Sequence, residues 1–453
     1  MNKTLIGSAL IASLAFSAPA LAKPAAETTV LSRIQKLEEE LALLKRQQEI
    51  ELEKTKAIAE KAATVEYGPG GLAVSSPDKR YSLRMRAYAQ IDNRSFLDNS
   101  NTSNVDQFLI RTARPIIEAT FDKDFSARLM FDFANNQSRL LDAYAEYKPD
   151  TAIGVRLGKF KVPLGIERWQ SEQEIEFTER GLTTNLVPSR DLGAMAFGDI
   201  LPQQLEYHLS YTNGTADLGD SSGDNDNGKE LTARLFAHPF RNADAAWLQG
   251  LGAGVAASTG NRNGTTSSTN LTDGYRTPGQ ARFFTWTPSG TTPYAAGDQQ
   301  RLNPQGYYFY GPLGAMAEYV VSKQDIKKGT VQQSIRSNGY MASLTYILTG
   351  EKASFDGVKP DADFAPNRNQ WGAWEVAGRI SSLWIEDAAF PTFANPATSA
   401  RAAREKTVGL NWYLNRNLKL NFNYSQTEFD GGAANNTDRE TEKVFLTRAQ
   451  VRF

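Results

Sequence analysis

Tyr81, Leu83, Met85, Ala87, Ala89 and Ile91 alternate with Ser82, Arg84, Arg86, Tyr88, Gln90 and Asp92. A period of two is the period of an extended strand, whose successive side chains leave on opposite faces. This run is greasy on one face and mostly polar on the other. The alternation returns at Phe125, Ala127, Leu129, Phe131 and Phe133, opposed by Ser126, Arg128 and Asp132. It returns again at Leu418, Leu420, Phe422 and Tyr424, opposed by Lys419, Asn421, Asn423 and Ser425. Such runs suit tilted transmembrane strands of ~9–11 residues. Further strand candidates lie at 139–148, 152–161, 192–200, 203–212, 229–238, 246–258, 306–322, 338–349, 371–386 and 404–414, several with less regular alternation. Polar, glycine-rich stretches at 213–228, 259–278 and 429–439 fall between strands, as loops of a membrane barrel do. Soluble sandwiches also have many strands. The strand lengths here, and aromatics near the ends of the apolar faces, favour a closed transmembrane β-barrel.

Mean hydropathy of −0.46 excludes a polytopic helical membrane protein. It does not exclude a barrel, because lumen-facing residues are polar and dilute the average. The net charge of −1 gives no field directed at nucleic acid, and zero cysteines exclude disulfides and thiolate metal sites. Asn2 and Lys3, an apolar run at 5–16 and the small-residue site Ala20-Leu21-Ala22 read as a signal peptide over residues 1–22. The run is too short for a membrane anchor of ~20 residues. No later segment has 18 uninterrupted apolar residues, so membrane residence requires strands.

A short linker is expected at 23–29. Val30, Ile34, Leu37, Leu41 and Leu44 then keep the alternating spacing of a coiled-coil seam, with Lys36, Glu38, Glu39, Glu40, Lys45 and Arg46 between them. The spacing predicts a helix over 30–63. About two clean heptads are marginal for a lone helix in water, which favours association between copies over a solitary amphipathic helix. A second linker is expected at 64–79, around Gly68-Pro69-Gly70-Gly71, and the barrel at 80–453.

Phe445, Thr447, Ala449, Val451 and Phe453 share one face of the last candidate strand, with Arg448 and Arg452 on the other. A terminal strand ending on phenylalanine resembles the assembly signal of bacterial outer-membrane barrels. In a closed barrel the last strand neighbours the first, which brings Arg448 and Arg452 beside Arg84 and Arg86 on one arc of lumen wall. Guanidinium groups stay charged and offer a planar donor fork to oxyanions. The plainer expectation is that they pair with carboxylates such as Asp92 or Asp132. Residues 161–191 leave a strand and carry Glu167, Glu172, Glu174, Glu176 and Glu179 among Arg168, Arg180 and Arg190. Either an inward constriction loop or an external loop would read this way. His208 and His238 have no metal-ligand spacing and no evident serine partner, so neither an enzyme nor a cofactor is expected.

Several segments together resemble the phosphate-selective porin O and P family. They are Gly70-Gly71-Leu72 with Ser76-Pro77-Asp78-Lys79, residues 111–133 and 156–168, Pro304-Gln305-Gly306-Tyr307-Tyr308, residues 339–350, Gly372-Ala373-Trp374-Glu375, and residues 408–413. The resemblance implies an all-β, sixteen-stranded antiparallel barrel that forms trimers and guides phosphate or pyrophosphate past a constriction. It places constriction cations at Arg111 and Arg168, an aspartate at Asp142 and a first-strand cation at Arg84. Thr112 and Tyr88 stand where the family has arginines. Arg114 and Lys161 stand where it has aromatics, and its mid-chain arginine ladder is reduced to Arg276 and Arg282.

The expected protein is an outer-membrane porin of a Gram-negative-type bacterium, a homotrimer in lipid with its coiled coil in the periplasm. Its solutes would be small anions, phosphate or polyphosphate first, met by Arg84, Arg86, Arg111, Arg114, Asp142, Lys161, Arg168, Arg448 and Arg452. The alternatives are a general-diffusion porin for neutral nutrients such as sugars, and a β-rich surface binding protein that would be soluble without detergent.

Overall fold

The computed structural model describes residues 28–97, 104–287 and 290–453; the expected signal peptide and most of the first linker lie outside the described residues. The chain divides into two units, 1–62 and 63–453. Among its described residues the first contains one helix, α1 (Thr28–Lys61), close to the expected 30–63. On it Ile34, Leu37, Leu41 and Leu44 are 47–63% exposed, an apolar seam that no described residue of the unit covers. No helix among the described residues is long and apolar enough to cross a membrane.

The second unit is built on an eighteen-stranded antiparallel sheet. Sixteen of its strands close into a barrel: β1 (Ser82–Leu97), β2 (Gln107–Phe121), β3 (Phe125–Asp132), β4 (Arg139–Tyr147), β5 (Gly154–Lys161), β6 (Arg190–Leu201), β7 (Leu205–Thr212), β8 (Glu230–Ala237), β9 (Leu251–Asn263), β10 (Tyr294–Tyr310), β11 (Leu313–Lys328), β12 (Val331–Ile347), β13 (Ala373–Ile385), β14 (Ala400–Tyr413), β15 (Leu418–Gly431) and β16 (Glu442–Arg452). Each pairs with its chain neighbour, and β16 returns to β1 with Lys443 opposite Leu97 and Arg452 opposite Tyr88. Closure gives every barrel strand a neighbour on both sides, the condition for strands to stand in hydrocarbon. The remaining two strands, Thr64–Gly68 and Gly71–Ser75, form a hairpin whose second strand pairs with the start of β1.

The two-residue period sorts side chains as a barrel requires. Ile91, Leu157, Leu344, Ile380 and Val408 stand outward and exposed. A soluble protein rarely exposes so continuous an apolar surface. Phe125 stacks on Tyr147 at 4.5 Å, and Trp374 on Trp412 at 4.8 Å, at the barrel end where β1 begins and β16 stops. Aromatics at that level form the interfacial girdle of a membrane barrel.

Three expectations are corrected. Residues 306–322 are not one strand, because Gly311 and Pro312 turn the chain between β10 and β11. The stretch 64–79 is not a bare linker. Gly71 adopts φ +89°, and a Cβ there would collide with the Met85 carbonyl oxygen, so glycine lets the hairpin lie against β1. Nor are the lumen-facing residues polar throughout. Val162, Leu164, Leu182 and Leu186 pack with inward-facing Val320, Ile335 and Leu383 into an apolar core. Phe283 and Phe284 from the β9–β10 connection join it, as does Phe393 from the β13–β14 connection.

Candidate functional site

Residues 162–189, between β5 and β6, cross the lumen and attach to the opposite wall. Gly165 N–H donates to Asn303 Oδ1 on β10 at 3.0 Å, and Ile166 N–H to Glu318 Oε2 on β11 at 2.9 Å. Leu182 N–H donates to Ser381 Oγ on β13 at 2.9 Å, and Thr178 N–H to Asn423 Oδ1 on β15 at 2.6 Å. Arg379 on β13 is the central bracket, donating to Glu167 at 3.0 Å, to the Glu179 carbonyl at 2.8 Å and to Glu405 at 2.9 Å. Lys161 Nζ donates to the carbonyls of Trp169 and Gln170 at 3.3 and 2.9 Å, closing the end of the short helix α2 (Ile166–Trp169). Irregular backbone at membrane depth must find such partners inside the protein.

Between this segment and the wall of β1–β6 lies a cavity of about 420 Å³. Arg86, Arg114, Arg128, Arg156, Arg190 and Arg452 line it with Lys161; the side-chain carboxylates on it are Asp142, Glu172, Glu174 and Asp356. On the lining, cations outnumber side-chain carboxylates seven to four, while Glu118, Asp132 and Glu146 pair with Arg86, Arg114 and Arg156 from outside it. Much of the wall is one alternating chain of charge. Arg86 and Arg128 both donate to Glu118 Oε1 at 2.8 Å, while Arg128 and Arg190 donate to Asp142 at 3.1 and 2.7 Å. The shared carboxylates hold the guanidinium forks still without matching them in number.

Arg86, Arg114, Asp142, Lys161 and Arg452 thus meet at the cavity. Arg84 is exposed beside the hairpin and does not line it. Arg111 lies elsewhere, donating to both oxygens of Glu179 at 2.6 and 3.1 Å. Arg448 clasps Asp92 at 2.7 and 2.8 Å, with side chains 2% and 0% exposed, and ties β16 to β1. Arg168 donates to the Thr184 carbonyl at 3.1 Å within the inward segment. Arg276 and Arg282 both pair with Asp273 in the β9–β10 connection. Arg128, Arg156 and Arg190 were not anticipated as site residues. The two-residue period already placed Arg128 on a polar face, but only strand pairing aligns it with Arg86 and Arg190.

Two carboxylates of the inward segment are held ionised by arginines, whereas burial and Glu375 push Glu176 up to about 7. Burial opposes ionisation of Glu172, but Arg180 and Arg114 keep it well below the usual carboxylate range. Burial likewise opposes ionisation of Glu179, and Arg111, Arg94 and Arg448 bring it down to about 2. Among the described residues no cluster of three or more His, Cys, Asp or Glu side chains is placed to hold a metal ion.

The family model described as phosphate-selective porin O and P matches residues 80–453. Porin O of Pseudomonas aeruginosa is 26% identical over 426 residues, spanning 85% of this chain and 91% of that protein. The fold is similar to the outer membrane channel DcaP of Acinetobacter baumannii, with TM-score 0.53 and 12% identity, covering 82% of this chain and 97% of that one. It is also similar to Salmonella typhi OmpF, with TM-score 0.51 and 11% identity over 86% and 100% of the two chains. OmpT of Vibrio cholerae in its trimer form has TM-score 0.52 at 9% identity, over 82% and 99%.

Proposed function

This chain belongs to the phosphate-selective porin O and P family and is an outer-membrane porin, and from that premise we propose that inorganic phosphate or polyphosphate passes its lumen along the β1–β6 wall. The observation that carries this reading is the chain Arg86–Glu118–Arg128–Asp142–Arg190, with cations at both ends and Lys161 beside it. A hydrated oxyanion entering the cavity meets donor forks already oriented by shared carboxylates, and exchanges water for them in steps. Arg86, Arg114, Arg128, Lys161, Arg190 and Arg452 contact the anion. Asp142, Arg111, Arg168 and Arg448 position the wall and the inward segment, which acts as the constriction. Residues 1–22 are removed on export. The exposed seam of α1 supports a three-stranded periplasmic coiled coil, and with it a homotrimer.

Planar-bilayer recording of the purified protein tests this. Reversal potentials should favour chloride over potassium, and added phosphate should reduce chloride current. R128A and R190A should each lower the anion preference about three- to tenfold, as expected for loss of one lumen charge in low dielectric. Cation preference in the wild type would sink the proposal. The competing reading, general diffusion of neutral nutrients, draws on the carboxylate partners of the lumen arginines. It requires those two variants to leave selectivity unchanged.

A further inference from the structure

We propose that the terminal half of the lumen, where β1 begins and β16 stops, carries a second recognition surface: aromatic faces interleaved with guanidinium groups, selective for organic anions with a planar ring. It rests on the anion-channel reading and names a solute class within it.

The surface begins in the cavity. Arg156 on β5 lies 4.3 Å over the Tyr144 ring and 5.1 Å over the Phe197 ring, while its edge donates to Glu146 at 2.9 and 2.7 Å. His208 on β7 stacks with Phe197 at 6.2 Å and meets Trp169 edge-on at 5.0 Å. Arg234 on β8 is shared between Trp169 at 5.6 Å and Phe236 at 4.5 Å. Phe236 continues to Tyr307 on β10 at 5.1 Å, and Tyr307 stacks on Phe355 at 5.3 Å. Each step is between groups on the inward face of the wall or on segments folded against it.

Phe236 and Arg234 are buried, and Phe236 packs with Tyr307 and Phe355 in an apolar cluster; two further observations distinguish the rest of the band. First, the wall beneath the rings is glycine. A Cβ on Gly154 would come within 2.6 Å of Phe197, one on Gly252 within 2.7 Å of Phe236 and Tyr307, and one on Gly254 within 2.6 Å of Phe236. The rings therefore lie against bare backbone. Second, Tyr144, Arg156, Trp169, Phe197, Tyr307 and Phe355 are only half-buried, so part of each remains open to water. Tyr144, Arg156 and Trp169 belong to the cavity lining itself. An aromatic ring stacks on such faces whatever its substituents, and a guanidinium between them binds an attached oxyanion while lying over the ring. A small inorganic ion gains only the charge.

The test compares block of chloride current by inorganic phosphate, methyl phosphate and phenyl phosphate in the full-length porin. Phenyl phosphate should block at about tenfold lower concentration than methyl phosphate, the stacking increment. In Phe197→Leu and Tyr144→Leu the ratio should fall toward one, and Phe197→Tyr should restore it. Equal block by the two esters in the wild type overturns the ring preference while leaving phosphate conduction standing. A preference that survives both leucine variants overturns the assignment to this band. If none of the three anions blocks, the anion-channel reading falls and this inference with it. The wild-type comparison needs no variant to fold.

Discussion

Glu179 is the residue on which three arginines converge: Arg111 at 2.6 Å, Arg94 at 3.3 Å and Arg448 at 3.8 Å. Replacing it by glutamine keeps its shape and removes one negative charge, leaving Asp92 on Arg448 as the neighbouring carboxylate. E179Q should raise anion-over-cation permeability about two- to fivefold at low salt and less at 1 M, where screening lengths shrink to about 3 Å. Reversal potentials at two ionic strengths check this. Because its carboxyl is depressed to about 2, its stabilising contribution is complete above the ordinary value of 4.5 and is lost as pH falls through about 2. Single-channel current noise should therefore stay constant from pH 7 to 5 and grow progressively below that. In the sequence Glu179 is one carboxylate among five on a charged segment. Nothing local distinguishes it, since its partners come from β1, β2 and β16.

At the scale of elements, the 162–189 segment is held more firmly than its loop-like sequence implies. Arg379→Ala would strand Glu167 and Glu405, with exposures of 3% and 0%, without their counter-charge. Breaking a buried pair this way costs about 3–5 kcal/mol. The expected result is a barrel that still migrates as folded in unheated gels but opens with larger, noisier current steps. The β12–β13 connection, residues 348–372, folds back into the lumen: Gln170 Nε2 donates to the Phe355 carbonyl at 3.1 Å, and Asp356 reaches the cavity. Replacing 353–358 by a short Gly-Ser turn should raise conductance about twofold, because pore-lining bulk sets the water path. Strands were legible where the inward face is polar, as in β1, β3, β15 and β16. They blurred across β10–β12, where Val320, Ile326 and Ile335 face an apolar core inside the barrel and erase the alternation. The inward return of 348–372 leaves no periodic trace in sequence, since its partners are fixed only once the cylinder closes.

For the whole molecule, α1 is expected to govern assembly and leave conduction to the barrel. Deleting 28–61 should lower the thermal stability of the proposed trimer on gels while leaving the conductance per pore unchanged. Loss of conductance would instead tie the helix to the channel. The sixteen-strand closure followed from repeated dyads and from the family resemblance together. The internal division of the barrel followed from neither. Apolar packing against β9 and β11–β15 occupies one flank, and the charged cavity lies along β1–β6 on the other. The cylinder is packed like a buttress on one side and, in the proposed reading, left open as a duct on the other. Under the proposed function a travelling ion would follow a strip of wall and not the axis, so its passage would resemble movement along a rail more than fall through a pipe. Inherited changes on the buttress would alter how long the protein survives; those on the duct would alter what a cell takes in.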